Sequence, residues 1–321
     1  MAPIILQDTA AGSSARISVD RGFNCFEFLA NVAGRPVDVL DSEPGFETGN
    51  GRPSGNGIPI LFPFPNRIRQ GRFHWRGCDY QLSESIVPFD NDGNAIHGLC
   101  LDRPWRVIEQ SATQVVGEFQ LSRDAPDRLD SWPADFVLQV GYELSQNTLT
   151  GRFRIHNPGP VSLPWGLGTH PYFRLPLGPD SRAADCLIEA PAAQQWVLEH
   201  CLPTGQRIEI PATHDLRDGA RFGDVRLDHV LTGLLASAEC WDGHVTDAAA
   251  GVQIRQRSDS CFRELVVYTP PGRDSVCLEP YTCVTDAINL ESPELDTGWR
   301  VLSPGSEFSC QIEIMAGLVL V

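Results

Sequence analysis

An all-β fold, one large twisted antiparallel β-sandwich, is what three observations in the sequence predict. Apolar residues recur with period two rather than 3.6. Gly and Pro, 29 and 25 of the 321 residues, interrupt the chain too often for long helices. Finally, no amphipathic stretch of three helical turns, no low-complexity linker and no internal repeat is present. The length suits one large all-β domain or two ordinary ones, and the missing linker predicts one, residues 1–321.

Alternation first shows at Arg16 to Asp20, then at Phe73 to Leu82 and at Arg106 to Leu121, with Gly, Pro, Asp and Asn clusters turning the chain between runs. The clearest case follows. Phe136, Leu138, Val140, Tyr142 and Leu144 alternate with Val137, Gln139, Gly141, Glu143 and Ser145. After Gln146-Asn147, Leu149, Gly151, Phe153 and Ile155 alternate with Thr148, Thr150, Arg152, Arg154 and His156. This reads as an antiparallel hairpin with one buried and one wetter face. Gln253 to Tyr268 and Phe308 to Ile314 complete the set.

A net charge of −16 repels nucleic acid phosphates and anionic membrane surfaces, so neither is expected as a partner. All 25 basic residues are Arg; the absence of Lys removes Schiff-base, pyridoxal-phosphate and Walker-type chemistry, and leaves carboxylate, imidazole, thiol and hydroxyl groups. The ten Cys form no C-x-x-C pair and no zinc-finger spacing. Met1 to Gln7 lacks the basic start and long apolar run of a signal peptide, and no apolar stretch approaches bilayer length. Reduced thiols in a cytoplasmic enzyme are the economical expectation, although an even Cys count leaves disulfides open.

Two segments carry candidate chemistry: Thr169-His170-Pro171-Tyr172-Phe173, and Cys277-Leu278-Glu279-Pro280-Tyr281. A His and a Glu at strand ends are a pair able to give a proton to one oxygen while taking one from another. Each also has a plainer reading. His170 fits a structural imidazole in an aromatic patch, and Glu279 either sits in solvent or is buried where desolvation raises its pKa toward that of a base. Arg67, beside Asn66, presents a rigid fork of donors for vicinal hydroxyls or serves a surface ion pair. His97 stands where a loop enters a strand, and Asp228 in Leu-Asp-His-Val equally caps a turn. His156, His200, His214, His229 and His244 read as structural or exposed. The H-x-H and H-E-x-x-H spacings that announce a metal are absent, so no metal is expected.

Beside these segments stand Pro63-Phe64-Pro65-Asn66-Arg67-Ile68, Asn94-Ala95-Ile96-His97-Gly98 and Leu227-Asp228-His229-Val230. In this order and spacing the five resemble the aldose 1-epimerase (galactose mutarotase) family, from about Gly55 to the Leu302-Ser303-Pro304-Gly305 turn. The resemblance implies the galactose mutarotase-like supersandwich fold and anomer exchange of a sugar without cofactor or metal. It implies Glu279 as general base and His170 as general acid, with His97 at the catalytic centre near the ring oxygen. Asn66, Arg67, Tyr172 and Asp228 become sugar contacts. Such chemistry asks for a protonated His170, which a nearby carboxylate would hold so. A free aldose is the expected substrate, in a monomer or homodimer. A hexose-phosphate mutarotase, with Arg69 and Arg72 on the phosphate, is the nearest alternative, followed by a non-catalytic sugar-binding protein. A glycoside hydrolase would need a second carboxylate in as strong a context as that of Glu279. The Leu-Glu-Pro-Tyr-Thr context differs from that of the best-known galactose-metabolising members, so preference for galactose is not implied.

Overall fold

The computed structural model describes residues 2–237 and 239–319. The chain is built from antiparallel sheets, and its α-helices among the described residues are single turns, Leu121–Asp124 and Ala287–Leu290. This agrees with the all-β expectation. No helix of the described residues is long and apolar enough to cross a membrane.

The predicted hairpin is present as Val137–Ser145 and Thr148–His156, paired from Ser145↔Thr148 to Val137↔His156. It lies within a nine-stranded sheet, bordered on one side by Gln114–Gln120 and on the other by Glu307–Leu318. Three of the predicted runs each resolve into two strands. Phe73 to Leu82 is a hairpin of Arg72–Trp75 and Cys78–Gln81, turned at Arg76-Gly77 with φ of 48° and 85°, the left-handed pair a two-residue hairpin loop demands. Arg106 to Leu121 divides into Arg106–Gln110 and Gln114–Gln120. Gln253 to Tyr268 divides into Val252–Asp259 of the nine-stranded sheet and Glu264–Tyr268 of another. The break sits at a turn in which the Phe262 N–H donates to the Asp259 carbonyl at 3.0 Å. It flips parity: before it the buried residues are even-numbered (Val252, Ile254), and after it the core residues Leu265 and Val267 are odd-numbered.

The second large sheet has eight strands. Its path runs Leu202–Glu209, Ala192–Glu199, Asp228–Leu234, Glu264–Tyr268, Ser275–Tyr281, Gly168–Thr169 and Ile60–Leu61, with Tyr172–Arg174 also on Ser275–Tyr281. The two large sheets share a core in which Leu138, Val140, Ile155 and Ile254 of one meet Ile60, Leu265, Val267, Val276 and Leu278 of the other. Each such side chain removed from water contributes roughly 1.5–3 kcal/mol. A polar pin crosses the core, where the buried Gln256 Nε2 donates to the Leu278 carbonyl at 3.1 Å. A four-stranded sheet, Ile4–Asp8, Ser13–Ser18, Asn24–Val32 and Arg35–Asp38, adds Leu6, Ile17, Phe28 and Val37 to the same cluster.

Candidate active site

In Ser275–Tyr281 every residue is buried, yet period two still sorts the side chains. Val276 and Leu278 enter the core between the sheets, so Cys277, Glu279 and Tyr281 share the opposite face. Register extends that face across the sheet. Asp228 pairs with Tyr268, Tyr268 with Cys277, and Cys277 with Tyr172, giving one row; Val230, Val266 and Glu279 give the next. Gly168 pairs with Tyr281 and Tyr172 with Cys277, so the chain between them carries His170 past Glu279. There the backbone leaves the ladder, and the His170 N–H donates to the Pro59 carbonyl at 3.0 Å. The imidazole Nε2 comes to 3.2 Å from Glu279 Oε1.

The other Glu279 oxygen, Oε2, accepts a hydrogen bond from the Tyr281 hydroxyl. Gly168 makes this contact possible, because a Cβ there would overlap the Tyr281 ring and crowd the Pro65 Cβ at 2.8 Å. The His170 ring stacks on Tyr172, with centroids 4.6 Å apart and planes 10° apart, and Tyr268 meets it edge-on at 6.2 Å. Tyr172 is itself held: its hydroxyl donates to the Ser54 carbonyl at 3.0 Å, and Arg273 lies over its ring at 4.9 Å.

His97 reaches the same place from another element. The short pair Arg67–Ile68 and Ala95–Ile96 brings it in, and its N–H donates to the Asn66 carbonyl at 2.8 Å. Asn66 and His97 both adopt left-handed backbone, φ 54° and 71°. Gly98 follows at φ 82°, packed where a Cβ would strike the Phe62 carbonyl. The His97 and His170 rings stand edge to face, 5.7 Å between centroids. Arg67 makes an ion pair, as one of its sequence readings expects, but a largely buried one: its Nε pairs with Asp90 Oδ2 at 2.7 Å, and its Nη1 donates to Asn66 Oδ1 at 2.8 Å. Burial, the largest single effect, lowers its pKa, but the Asp90 hydrogen bond together with the charges of Asp90, Asp228 and Cys201 outweighs it and holds the guanidinium above its ordinary pKa. Asp228 opens a strand rather than capping a turn. It is exposed, yet its surroundings desolvate it enough to raise its carboxyl against the opposing pull of Arg67. All seven candidate residues thus surround one place.

The electrostatics differ from expectation in one respect. Burial, the dominant cause, lowers the His170 pKa to about 3, and the Arg273 charge adds to it. The carboxylate beside His170 is Glu279 itself. Burial pushes that carboxyl well above its usual range, although the Tyr281 hydrogen bond opposes the shift. Burial, with the nearby Arg67 and Arg52 charges adding to it, lowers His97 well below its ordinary pKa and keeps it neutral. Both shifts disfavour the charged forms, so the pair favours a neutral imidazole beside a protonated carboxyl, one proton in all. The expectation of a His170 held protonated by a nearby carboxylate therefore differs from the direction of both shifts.

Sequence reasoning left Tyr281, Cys277 and Tyr268 out of the site, although Cys277 and Tyr281 stand two residues on either side of Glu279 and strand alternation puts them on its face. His170, Cys277 and Glu279 also offer ligand atoms all within 4.8 Å of one another. A further buried carboxyl on this face, Glu264, is pushed up to about 7 by burial and accepts from Trp196 Nε1 at 2.8 Å, which marks it as a packing partner of Trp196. A hollow of about 510 Å³ on the outer face of the nine-stranded sheet, lined by Gln139, Arg152, Arg154 and Gln311, contains no imidazole.

Comparison with known proteins bears on family and fold. The family profile described as "Aldose 1-epimerase" matches residues 38–315. The chain belongs to the aldose 1-epimerase family. The chain is similar to the uncharacterized protein YihR of Escherichia coli K12, 26% identical over 232 residues, covering 72% of this chain and 71% of YihR. A galactose mutarotase-like protein from Clostridium acetobutylicum superposes with a TM-score of 0.84 at 21% identity, covering 96% of this chain and 94% of that one. A GalM/aldose epimerase homologue from C. elegans gives 0.79 at 17% identity, covering 99% of each. At these identities the two structures establish the galactose mutarotase-like fold.

Proposed function

We propose that this aldose 1-epimerase family member interconverts the α and β anomers of a free aldose by acid/base catalysis, with Glu279 and His170 as the proton-transfer pair. The observation that carries the reading is the 3.2 Å approach of His170 Nε2 to Glu279 Oε1, on a face ringed by His97, Asn66, Arg67, Tyr172 and Asp228. Ring opening of a hemiacetal needs a base at the C1 hydroxyl and an acid at the ring oxygen together. In the microstate with imidazolium and carboxylate, Glu279 takes the C1 hydroxyl proton while His170 protonates O5, and the C1–O5 bond breaks to the aldehyde. The pair is left with neutral imidazole and carboxylic acid. Rotation about C1–C2 presents the other carbonyl face. O5 then attacks C1, its proton returns to His170, and Glu279 protonates O1.

The net proton count of the pair never changes through this cycle. A buried pair that firmly keeps one proton is suited to it, since no proton need come from or go to water. Each positioned transfer is worth about 10²–10⁴ in rate. Tyr281 steadies the carboxylate form of Glu279, and neutral His97 offers a hydrogen bond near the ring oxygen. A free sugar fits better than a phosphate ester, because the candidate phosphate ligands have other partners: Arg69 Nε lies 3.6 Å from Asp286, and Arg72 donates to Gln81 at 2.5 Å.

Polarimetry on freshly dissolved α-glucose, α-galactose and α-xylose, with a hexose 6-phosphate for comparison, tests the reading. Accelerated approach to equilibrium for at least one free aldose is expected. No acceleration with any free aldose, or turnover of the phosphate alone, would overturn it.

A further inference from the structure

We propose that His170, Cys277 and Glu279 form a binding site for a thiophilic divalent cation, Zn²⁺ above all, and that the ion switches the protein off by occupying the acid/base pair. The three ligand atoms, one nitrogen, one sulfur and one carboxylate oxygen, lie within 4.8 Å of one another and belong to buried residues. Metal–ligand lengths of about 2.0–2.3 Å at tetrahedral angles require ligand-to-ligand edges of about 3.4–3.6 Å. The nitrogen-to-oxygen edge already measures 3.2 Å. The Cys277 sulfur lies within 4.8 Å of both, and a filled site would draw it closer.

Charge and chemistry favour the same ion. Thiolate and carboxylate together neutralise a divalent cation, so the filled site buries no net charge; binding releases the thiol proton and the single proton of the His170–Glu279 pair. A mixed nitrogen, sulfur and oxygen set selects zinc-like ions over magnesium or calcium, which prefer oxygen alone. The Tyr281 hydroxyl on Oε2 leaves Oε1 as the free ligand oxygen of Glu279 and holds the carboxylate in place. Three protein ligands leave a fourth position for water or a sugar hydroxyl. The inhibitory consequence rests on the acid/base reading above, whereas the site itself does not.

Co²⁺ alone serves as the spectroscopic probe and Zn²⁺ as the inhibitor. Titration of the wild-type protein with Co²⁺ is expected to produce a thiolate-to-cobalt charge-transfer band that Cys277→Ser abolishes. Zn²⁺ is expected to inhibit anomer exchange in competition with sugar, with a half-inhibiting concentration at least about tenfold higher in Cys277→Ser, each variant being referred to its own uninhibited rate. Should Cys277→Ser fail to fold, Glu279→Gln keeps the thiol and removes the carboxylate, and Co²⁺ affinity is expected to fall at least about as far. An unchanged band and unchanged affinity in the variants would overturn the site and place the ion on the more exposed thiols, such as Cys78 or Cys240. A Cys277-dependent band without inhibition would leave the site standing and contradict the acid/base roles of His170 and Glu279.

Discussion

His170 and Glu279 are each costly to charge where they lie, and the way they share that cost makes a prediction. With the His170 pKa lowered to about 3 and that of Glu279 raised, the one-proton pair is the working form between the two. Lowering the pH inactivates only when His170 takes a proton while Glu279 keeps its own; raising it inactivates only when Glu279 loses the last proton. The kcat/KM profile should therefore show no fall as the pH drops through 6.5, the value of an ordinary imidazole, as long as circular dichroism shows the fold intact. An acid limb centred near 6.5 would mean that His170 titrates as an independent group. The rim residues should behave differently. Arg67→Ala and Asp228→Ala remove contacts to hydroxyls distant from the breaking bond, so KM should rise more than kcat falls. His170→Asn should instead lower kcat by about two orders of magnitude or more. Steady-state kinetics on the three variants decide this, and the reverse pattern would exchange the roles. At this scale the sequence was informative where a motif is contiguous: His170 with Tyr172, and Glu279 before Pro280. It could not show that Arg67 is held by Asp90, 23 residues away, or that the carboxylate next to His170 is that of Glu279, because both facts arise from the meeting of separate segments.

At the level of the strand, one alternation divides stability from chemistry. Leu278 points into the core and Glu279, its neighbour, into the site. Leu278→Ala should lower unfolding stability by about 2–5 kcal/mol with kcat largely retained, because it leaves a cavity in the shared core and touches no proton. Denaturant unfolding beside steady-state kinetics checks it; a kcat collapse with unchanged stability would mean the strand faces have been assigned the wrong way round. The hairpin of Val137–Ser145 and Thr148–His156 was legible because both strands keep one parity throughout. Gln253 to Tyr268 reads as one run although its halves lie in different sheets, since both halves lay an apolar face on the same core and only a change of parity at the Asp259–Phe262 turn marks the crossing.

For the whole molecule, the sandwich supplies a rigid floor and the loops supply the rest of the site. Glu279 and Asp228 stand on strands of one sheet, His170 where the chain leaves that sheet, and His97 and Asn66 on a separate short pair. The all-β class followed from composition and periodicity. The convergence of these segments did not, because it depends on long-range register, and resemblance to a known family provided it instead. A reaction carried by these side chains alone has a global consequence: exhaustive chelation should not lower activity, and removal of adventitious zinc should raise it. Loss of activity on chelation, restored by a divalent ion, would contradict the acid/base account. Its central claim, that the Glu279 carboxylate takes the C1 hydroxyl proton, is tested most directly by exchange NMR on an equilibrated anomer mixture, comparing wild type with Glu279→Gln, a variant of almost unchanged shape. The account predicts that wild type exchanges the anomeric protons well above the spontaneous rate and that Glu279→Gln, with its thermal unfolding unchanged, slows this by two or more orders of magnitude. Exchange at a near-wild-type rate in that variant would contradict it.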